Sequence, residues 1–252
     1  MVKSFLPLLA FVAASSLFAN TSTWNFTSSE GFTEGDTLDG VGNWQAQTQW
    51  VAKDVAGAGY ADSDTNFNRA VLFTNQQFNA GDSYTLVSVL SLENSSLVNT
   101  KTSMFQFGLT STLSPGGNKP AVGMTVKPAF LNYFIDANVT VGGNEINTGV
   151  AKDTLVAHTY TTVITKSATA DTFDVSIDFD NGTASTSFSV VDASLYAATT
   201  LFPIIDTYQA NDRGGIRLNS FSSTYTAVPE PAHLSLLAGG LLLGYVMVRR
   251  RM

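Results

Sequence analysis

Along this chain, apolar and polar residues alternate with a period of two far more often than with a helical period. Tyr84–Leu92 (YTLVSVLSL), Met104–Leu109 (MFQFGL), Phe130–Asp136 (FLNYFID), Tyr160–Lys166 (YTTVITK) and Gly215–Tyr225 (GIRLNSFSSTY) read as half-buried strands. Clusters rich in Gly, Asn, Asp and Pro, such as Ser114–Pro120 and Val141–Asn144, separate them. No long window carries helical spacing, and Asp192–Ala198 predicts a turn or two of helix at most.

The sharpest local signal is TFDVSIDF-DNGT-ASTSFSV. Phe173, Val175, Ile177 and Phe179 alternate with Asp174, Ser176, Asp178 and Asp180, and Asn181-Gly182 supplies two residues that tolerate positive φ. A type I′ hairpin turn needs that pair. Asp180 then faces Thr183, and counting outward pairs Phe179 with Ala184, Ile177 with Thr186, Val175 with Phe188 and Phe173 with Val190. Asp178–Ser185 and Ser176–Ser187 fall on the opposite face. A slip of one residue would mismatch every pair, so the register is well specified. One apolar face per strand, repeated about a dozen times, calls for two stacked antiparallel sheets. The predicted fold is all-β, a two-sheet antiparallel jelly-roll sandwich.

The two ends differ from this body. MVKSFLPLLAFVAASSLFAN has a positive start at Lys3, an apolar stretch from Phe5 to Val12, then small residues and a cleavage point after Ala19. Those are the three parts of a secretory signal peptide. At the other end, Ala232–Val248 is apolar except for His233 and Ser235, and Arg249, Arg250 and Arg251 follow directly. As a helix it would rise roughly 25 Å, enough to span a locally thinned bilayer, and the arginine cluster would stop transfer and stay cytoplasmic. The expected organisation is a signal peptide at 1–19, a β-sandwich at 20–227 and a sorting and anchor segment at 228–252.

Val228-Pro229-Glu230-Pro231, the apolar span and the terminal arginines together resemble a PEP-CTERM sorting signal. That resemblance implies a Gram-negative bacterium making extracellular polysaccharide. It also implies processing at the Pro-Glu-Pro motif by an exosortase, an integral-membrane transpeptidase, with the helix serving as a transient handle. The chain is then expected in the cell envelope, membrane-anchored, or at the surface after processing. The body resembles concanavalin A-like, laminin-G-like domains through Phe32, Gly35, Leu38, Gly42 and Trp44, the Tyr133-Phe134-Ile135-Asp136 strand, the Asn-Gly hairpin and the closing strand. Such domains include lectins, glycan-binding modules, glycosidases and adhesion domains, so fold alone leaves function open.

Composition narrows the chemistry. There is no cysteine, so packing alone must hold an exported fold, and thiolate catalysis and Cys-ligated metals drop out. The body is acidic, with nine basic and nineteen acidic residues between 20 and 227, a formal net charge of −10. With no basic run outside the arginine tail, nucleic acid is excluded as a partner. His158 is the one histidine outside the sorting segment. It stands just before a strand as a surface or turn residue, without a Gly-x-Ser-x-Gly elbow, and zinc has too few ligands. Glycoside hydrolysis needs two carboxylates about 5–9 Å apart. The resemblance to laminarinases implies a Glu-x-Asp-x-(x)-Glu strand, which this sequence lacks. Asp174, Asp178 and Asp180 read instead as a solvated strand face.

Two weaker site readings remain. Asp62, Asp64, Asn66 and Asn68 put oxygen ligands at alternating positions, as a calcium loop begins. The Gly and Glu of an EF-hand are replaced by Phe67 and Phe73, and capped turns would use the same residues. For sugar stacking, Trp24, Trp44, Trp50, Tyr60, Tyr133 and Tyr208 are available, with Trp44 and Trp50 on a shared face if they occupy one strand. The function expected first is a non-catalytic surface or matrix protein. A glycan-binding module acting on extracellular polysaccharide stands second, and a glycoside hydrolase a distant third. No cofactor is expected beyond the possible calcium.

Overall fold

A computed structural model describes residues 18–47, 50–63, 68–92, 104–113, 122–129, 132–136, 145–151, 156–208 and 216–228. The expected signal peptide up to residue 17, the Pro-Glu-Pro motif, the apolar span and Arg249–Arg251 lie outside them. No helix among the described residues is long and apolar enough to cross a membrane. Val228 is described and is half exposed just beyond the last strand.

Fifteen strands are described: β1 (Phe18–Trp24), β2 (Trp44–Ala46), β3 (Trp50–Lys53), β4 (Tyr60–Ser63), β5 (Asn68–Leu72), β6 (Ser83–Leu92), β7 (Met104–Thr110), β8 (Val122–Ala129), β9 (Asn132–Asp136), β10 (Glu145–Ala151), β11 (His158–Lys166), β12 (Thr172–Phe179), β13 (Ala184–Val191), β14 (Phe202–Tyr208) and β15 (Ile216–Ala227). They form two sheets. One has the order β13-β12-β11-β6-β15-β4-β3, with β1 also pairing β15; the other runs β10-β9-β8-β7-β14-β5-β2. The ladders along both paths are antiparallel. The fold is therefore the all-β two-sheet sandwich that the period-two pattern predicts.

Along β6, β11 and β12 the alternation places the apolar half between the sheets, whereas Phe105–Thr110 of β7 and Phe202–Thr207 of β14 are buried on both faces. Along β11 the burial alternates without a break from His158 to Lys166. Tyr84, Leu86 and Leu90 of β6, Phe105, Phe107 and Leu109 of β7, and Phe173, Val175, Ile177 and Phe179 of β12 belong to one core. Ring contacts cross from sheet to sheet, with Phe107 6.4 Å from Tyr160 and Trp50 6.5 Å from Phe105. Among the described residues the one α-helix, α1 (Ala193–Tyr196), is capped by Asp192, whose Oδ1 accepts the Leu195 N–H at 2.9 Å. That is the short helical turn expected at 192–198.

The β12–β13 ladder has the expected register, with Val175 opposite Phe188, Phe173 opposite Val190 and Asp178 opposite Ser185. Val175 is buried and Phe188 packs against the core from the edge. The turn differs from the two-residue prediction. Phe179 and Ala184 close the ladder, and Asp180, Asn181 and Gly182 all have positive φ, at 47°, 52° and 97°. The Thr183 N–H donates to Phe179 O at 3.0 Å. The extra left-handed residue follows from the Asp180 carboxylate. Its Oδ1 accepts the Thr159 N–H at 2.8 Å and its Oδ2 meets His158 Nδ1 at 2.6 Å. His158 is consequently no surface residue: it is buried and stacks on Phe179 at 5.3 Å.

Gly108 of β7 lies directly opposite Gly123 of β8. A Cβ on Gly108 would sit 2.0 Å from Val122 O, with backbone on every near side. Gly182, by contrast, faces open space. Gly108→Ala is therefore expected to lower unfolding free energy by at least about 3 kcal/mol, the top of the overpacking range. Gly182→Ala is expected to cost only the left-handed penalty of about 1–2 kcal/mol. Urea midpoints of the two variants test that order.

Candidate functional site

Neither tryptophan expected to offer a sugar platform does so. Trp44 and Trp50 fall on β2 and β3, which belong to different sheets, and both side chains are essentially fully buried. Trp50 N–H donates to Gln47 O at 3.0 Å, so no single extended strand carries both rings and the common face is lost. Trp44 packs on Phe221 at 5.6 Å and is flanked by Trp24 and Phe26. Tyr60 carries the Arg217 guanidinium over its ring at 4.6 Å.

Of the calcium-loop residues, Asp62 lies buried on β4 opposite Val51 and Arg217. Asp64 and Asn66 lie outside the described residues. Among the described residues, no group of three or more His, Asp or Glu is placed to hold a metal ion. The three hairpin aspartates are each engaged locally. Asp174 accepts the Ser189 hydroxyl at 2.7 Å, Asp178 accepts the Gly182 N–H at 3.1 Å, and Asp180 holds His158 and the Thr159 N–H. They stand as turn and cross-strand acceptors rather than as converging catalytic carboxylates.

A concave site does exist elsewhere. A groove of about 170 Å³ is lined by Asn20 and Ser22 of β1, by Asn43, by Leu72 and the following Phe73–Gln76, and by Tyr84, Pro203, Ser223 and Tyr225. Its wall is made where β5 ends and the chain leaves the sheet as an irregular strap, residues 73–82. The strap is pinned at its start by Phe73 N–H to Asn43 O at 2.8 Å and further on by Phe78 N–H to Thr199 O at 2.9 Å. Phe78 is buried against Tyr84 and Tyr225.

The strap's far end rests on a buried polar network. Asp82 is buried, and its Oδ2 accepts the Asn79 N–H at 2.7 Å and the Tyr225 hydroxyl at 2.8 Å. The same hydroxyl lies 2.6 Å from Gln77 O. Lys166 donates to Phe78 O at 3.0 Å and Ala198 O at 3.2 Å, with Tyr196 4.7 Å beneath its ammonium. Burial holds the lysine below its ordinary pKa, with the Asp82 charge opposing. Burial also pushes Tyr84 up to about 12, with the nearby Thr74 side chain opposing and the Asp82 charge adding. Tyr225 is pushed up further, by burial first and then by its bond to Asp82. Both tyrosines that floor the groove therefore stay neutral across the physiological range.

The groove's rim carries Phe73, which is 41 % exposed. Phe202 backs it in a near-parallel stack, with centroids 6.2 Å apart and planes at 20°. Phe202 is itself held in a second apolar cluster with Val71 and Ile204. A ring supported on one side and surrounded by amides and hydroxyls is equipped to meet a ligand that is apolar on its face and polar at its edge. The groove is smaller than the roughly 300–1,000 Å³ of pockets for drug-sized ligands, so it suits a single ring. Phe73 lies outside the Trp and Tyr set expected from the sequence, although Leu72-Phe73 breaks the β5 alternation just before the run Thr74-Asn75-Gln76-Gln77.

No known family model matches the chain, and no characterised protein matches it in sequence. Solved structures do match in shape. A peanut lectin in complex with a nine-residue peptide is 13 % identical, with a TM-score of 0.50 over 84 % of this chain and 100 % of that one. An endo-1,3-beta-glucanase from Streptomyces sioyaensis is 13 % identical, with a TM-score of 0.50 over 83 % of this chain and 97 % of that one. The chain shares with them the concanavalin A-like sandwich.

The network makes a stability prediction with a defined sign. Tyr225→Phe leaves the buried Asp82 with one donor fewer, and is expected to cost about 2 kcal/mol, as for bonds to charged groups. Tyr84 ionises near pH 10.0 when unfolded but near 12 when folded. The unfolded state therefore loses its proton first, and stability falls as pH rises from about 10 towards 12. Lys166 acts oppositely, since its depressed value makes stability rise with pH until about 10.5. Urea titrations at a series of alkaline pH values check the fall above that point.

Proposed function

We propose that this chain is an exported, non-catalytic cell-surface or matrix protein whose sandwich binds polysaccharide through the groove at Phe73. The observation that carries the reading is the exposed Phe73 ring, backed by Phe202 and bordered by Asn20, Asn43, Asn75 and Gln76. A pyranose offers a C–H face for stacking and equatorial hydroxyls that both donate and accept. Amide side chains reciprocate with one acceptor and two donors each. None of the twelve lining residues is ionisable near neutrality. Recognition by the groove therefore rests on stacking and hydrogen bonding, and it varies little with salt.

Hydrolysis forms no part of the reading. The hairpin aspartates are occupied as local acceptors, and the groove lining holds no carboxylic acid. Delivery is proposed on sequence grounds alone. The signal peptide exports the body, and Pro229-Glu230-Pro231, the apolar span and Arg249–Arg251 present it to an exosortase at the membrane. The apolar span contains Gly239, Gly240 and Gly244. Each lowers helix stability by about 1 kcal/mol against alanine, which suits a transient handle.

Two measurements test the proposal. Affinity electrophoresis of the Ala19–Ala227 unit against a panel of neutral and acidic polysaccharides is expected to show retardation. Phe73→Ala is expected to weaken it at least about tenfold, or 1.4 kcal/mol, with an unchanged melting temperature. Retardation that ignores Phe73, or none on any polysaccharide, would overturn the groove reading. Release of reducing sugar would overturn the non-catalytic one. Mass spectrometry of the native surface protein is expected to show a chain ending near Pro229–Pro231; one retaining Arg251 would refute processing.

A further inference from the structure

A sheet ends in two rows of unpaired N–H and C=O groups, and proteins block such rows with charge, proline, bulges or covering segments. The eight-stranded sheet treats its two ends differently. At β3 the chain folds back along its own edge. Gly35 N–H donates to Ala52 O at 2.8 Å, Leu38 N–H to Trp50 O at 2.9 Å, and Ala52 N–H to Asp36 O at 3.0 Å. At β13, among the described residues, no backbone group bonds to the strand from its outer side.

That open edge lacks the usual safeguards. β13 reads ASTSFSVV over eight residues, with no charge and no proline, and its ladder to β12 is free of bulges. Val191, at its end, is 76 % exposed, the most exposed of the large hydrophobic side chains described.

We infer that β13 pairs antiparallel with β13 of a second copy of this chain, about a two-fold axis at Ser187. The strand is complementary to itself in that register. On the inner face Ala184 meets Val190 and Thr186 meets Phe188. On the outer face Ser185 meets Ser189, Ser187 meets itself, and Val191 is covered by Thr183. Moving the axis to Phe188 would set Asp192, which caps α1, against Ala184. Moving it to Thr186 would set Val190 against the Gly182 turn. The Ser187 axis pairs Ala184 through Val190 within the strand and keeps Asp192 and Gly182 outside it. The pairing also has a consequence for the outer surface. A hollow of about 410 Å³ on β11–β13 is lined by Thr165, Asp174, Ser176, Ser187 and Ser189 together with Val163, Val175 and Phe188. The axis at Ser187 joins two such hollows into one trough of mixed polar and apolar lining.

The chain's lack of cysteine makes the register directly testable. Directly opposed residues of an antiparallel pair have Cα atoms about 4.5–5.5 Å apart, inside the disulfide range of about 4.4–6.8 Å. In the Ala19–Ala227 unit, Ser187→Cys is expected to link to itself on mild oxidation. Ser185→Cys, which would face Ser189, is expected to stay unlinked alone and to link when mixed with Ser189→Cys. Sedimentation equilibrium in the micromolar range is expected to give a dimer for the parent. Ser187→Lys, which opposes two ammonium groups at the axis, is expected to give a monomer with unchanged circular dichroism and melting. A monomeric parent, a Ser187→Lys variant as dimeric as the parent, or equal self-linking at 185 and 187 would each overturn the inference.

Discussion

The apolar contact between the two sheets is the interaction on which the rest of the molecule depends. No disulfide helps it, and neither sheet could stand alone with one face wet and the other greasy. The chain meets this with aromatic rings: Trp50 to Phe105 and Phe107 to Tyr160 reach across the gap, while Phe105 to Phe107 and Tyr160 to Phe179 link them within a sheet. Burying rings of this size contributes roughly 4–6 kcal/mol each at about 25 cal/mol per Å². That offsets an ordering cost of about 1–2 kcal/mol per residue of backbone. The consequence is spatial. Inner-face residues are committed to packing, so chemistry is left to the sheet edges, the outer faces and the segments that run across the ends.

The strap between Phe73 and Asp82 shows how such a segment is made firm. It has no ladder to share, so its backbone groups are satisfied piecemeal by Asn43, Thr199 and the Tyr225 hydroxyl. Asp82 closes the arrangement. A buried carboxylate is tolerable only when donors surround it, and those donors come from Asn79 on the strap and Tyr225 on β15. Lys166 draws the same strap towards β11 through Phe78 O. The groove is therefore a firm surface: its floor is the top of a satisfied buried network, and its exposed ring rests on Phe202.

Much of this frame is legible in the sequence, for reasons that differ by residue. Strong alternation marks β6, β11 and the β12–β13 pair because each has one buried and one wetter face, whereas β7 is buried on both faces from Phe105 to Thr110. Register across the hairpin follows from matching apolar positions, and it survives even though the turn takes a left-handed residue more than Asn-Gly suggests. The failures share a physical cause, which is dependence on distant parts of the chain. Trp44 and Trp50 lose their common face because β2 and β3 join different sheets. His158 is drawn inward by Asp180, a neighbour in space but not in sequence. Phe73 becomes a rim residue only because Phe202, far along the chain, backs its ring. Period-two reasoning sees faces within one strand, whereas these positions are decided by which strands become neighbours.

Charge links the groove to its surroundings. The body carries a formal net charge of −10 between residues 20 and 227, yet no group in the groove lining titrates near neutrality. Acidic residues on the surface keep copies of the chain apart at distances beyond contact and so favour solubility. At physiological ionic strength that repulsion fades over about 8 Å. Short-range terms then decide at the groove, where one supported ring and a border of amides can act without an ion pair. They decide equally at β13, the uncharged edge of an otherwise acidic domain, where hydrogen bonding between backbones needs no charge to begin. The distribution of charge thus leaves two surfaces on which packing and hydrogen bonding, rather than Coulomb forces, set what can bind.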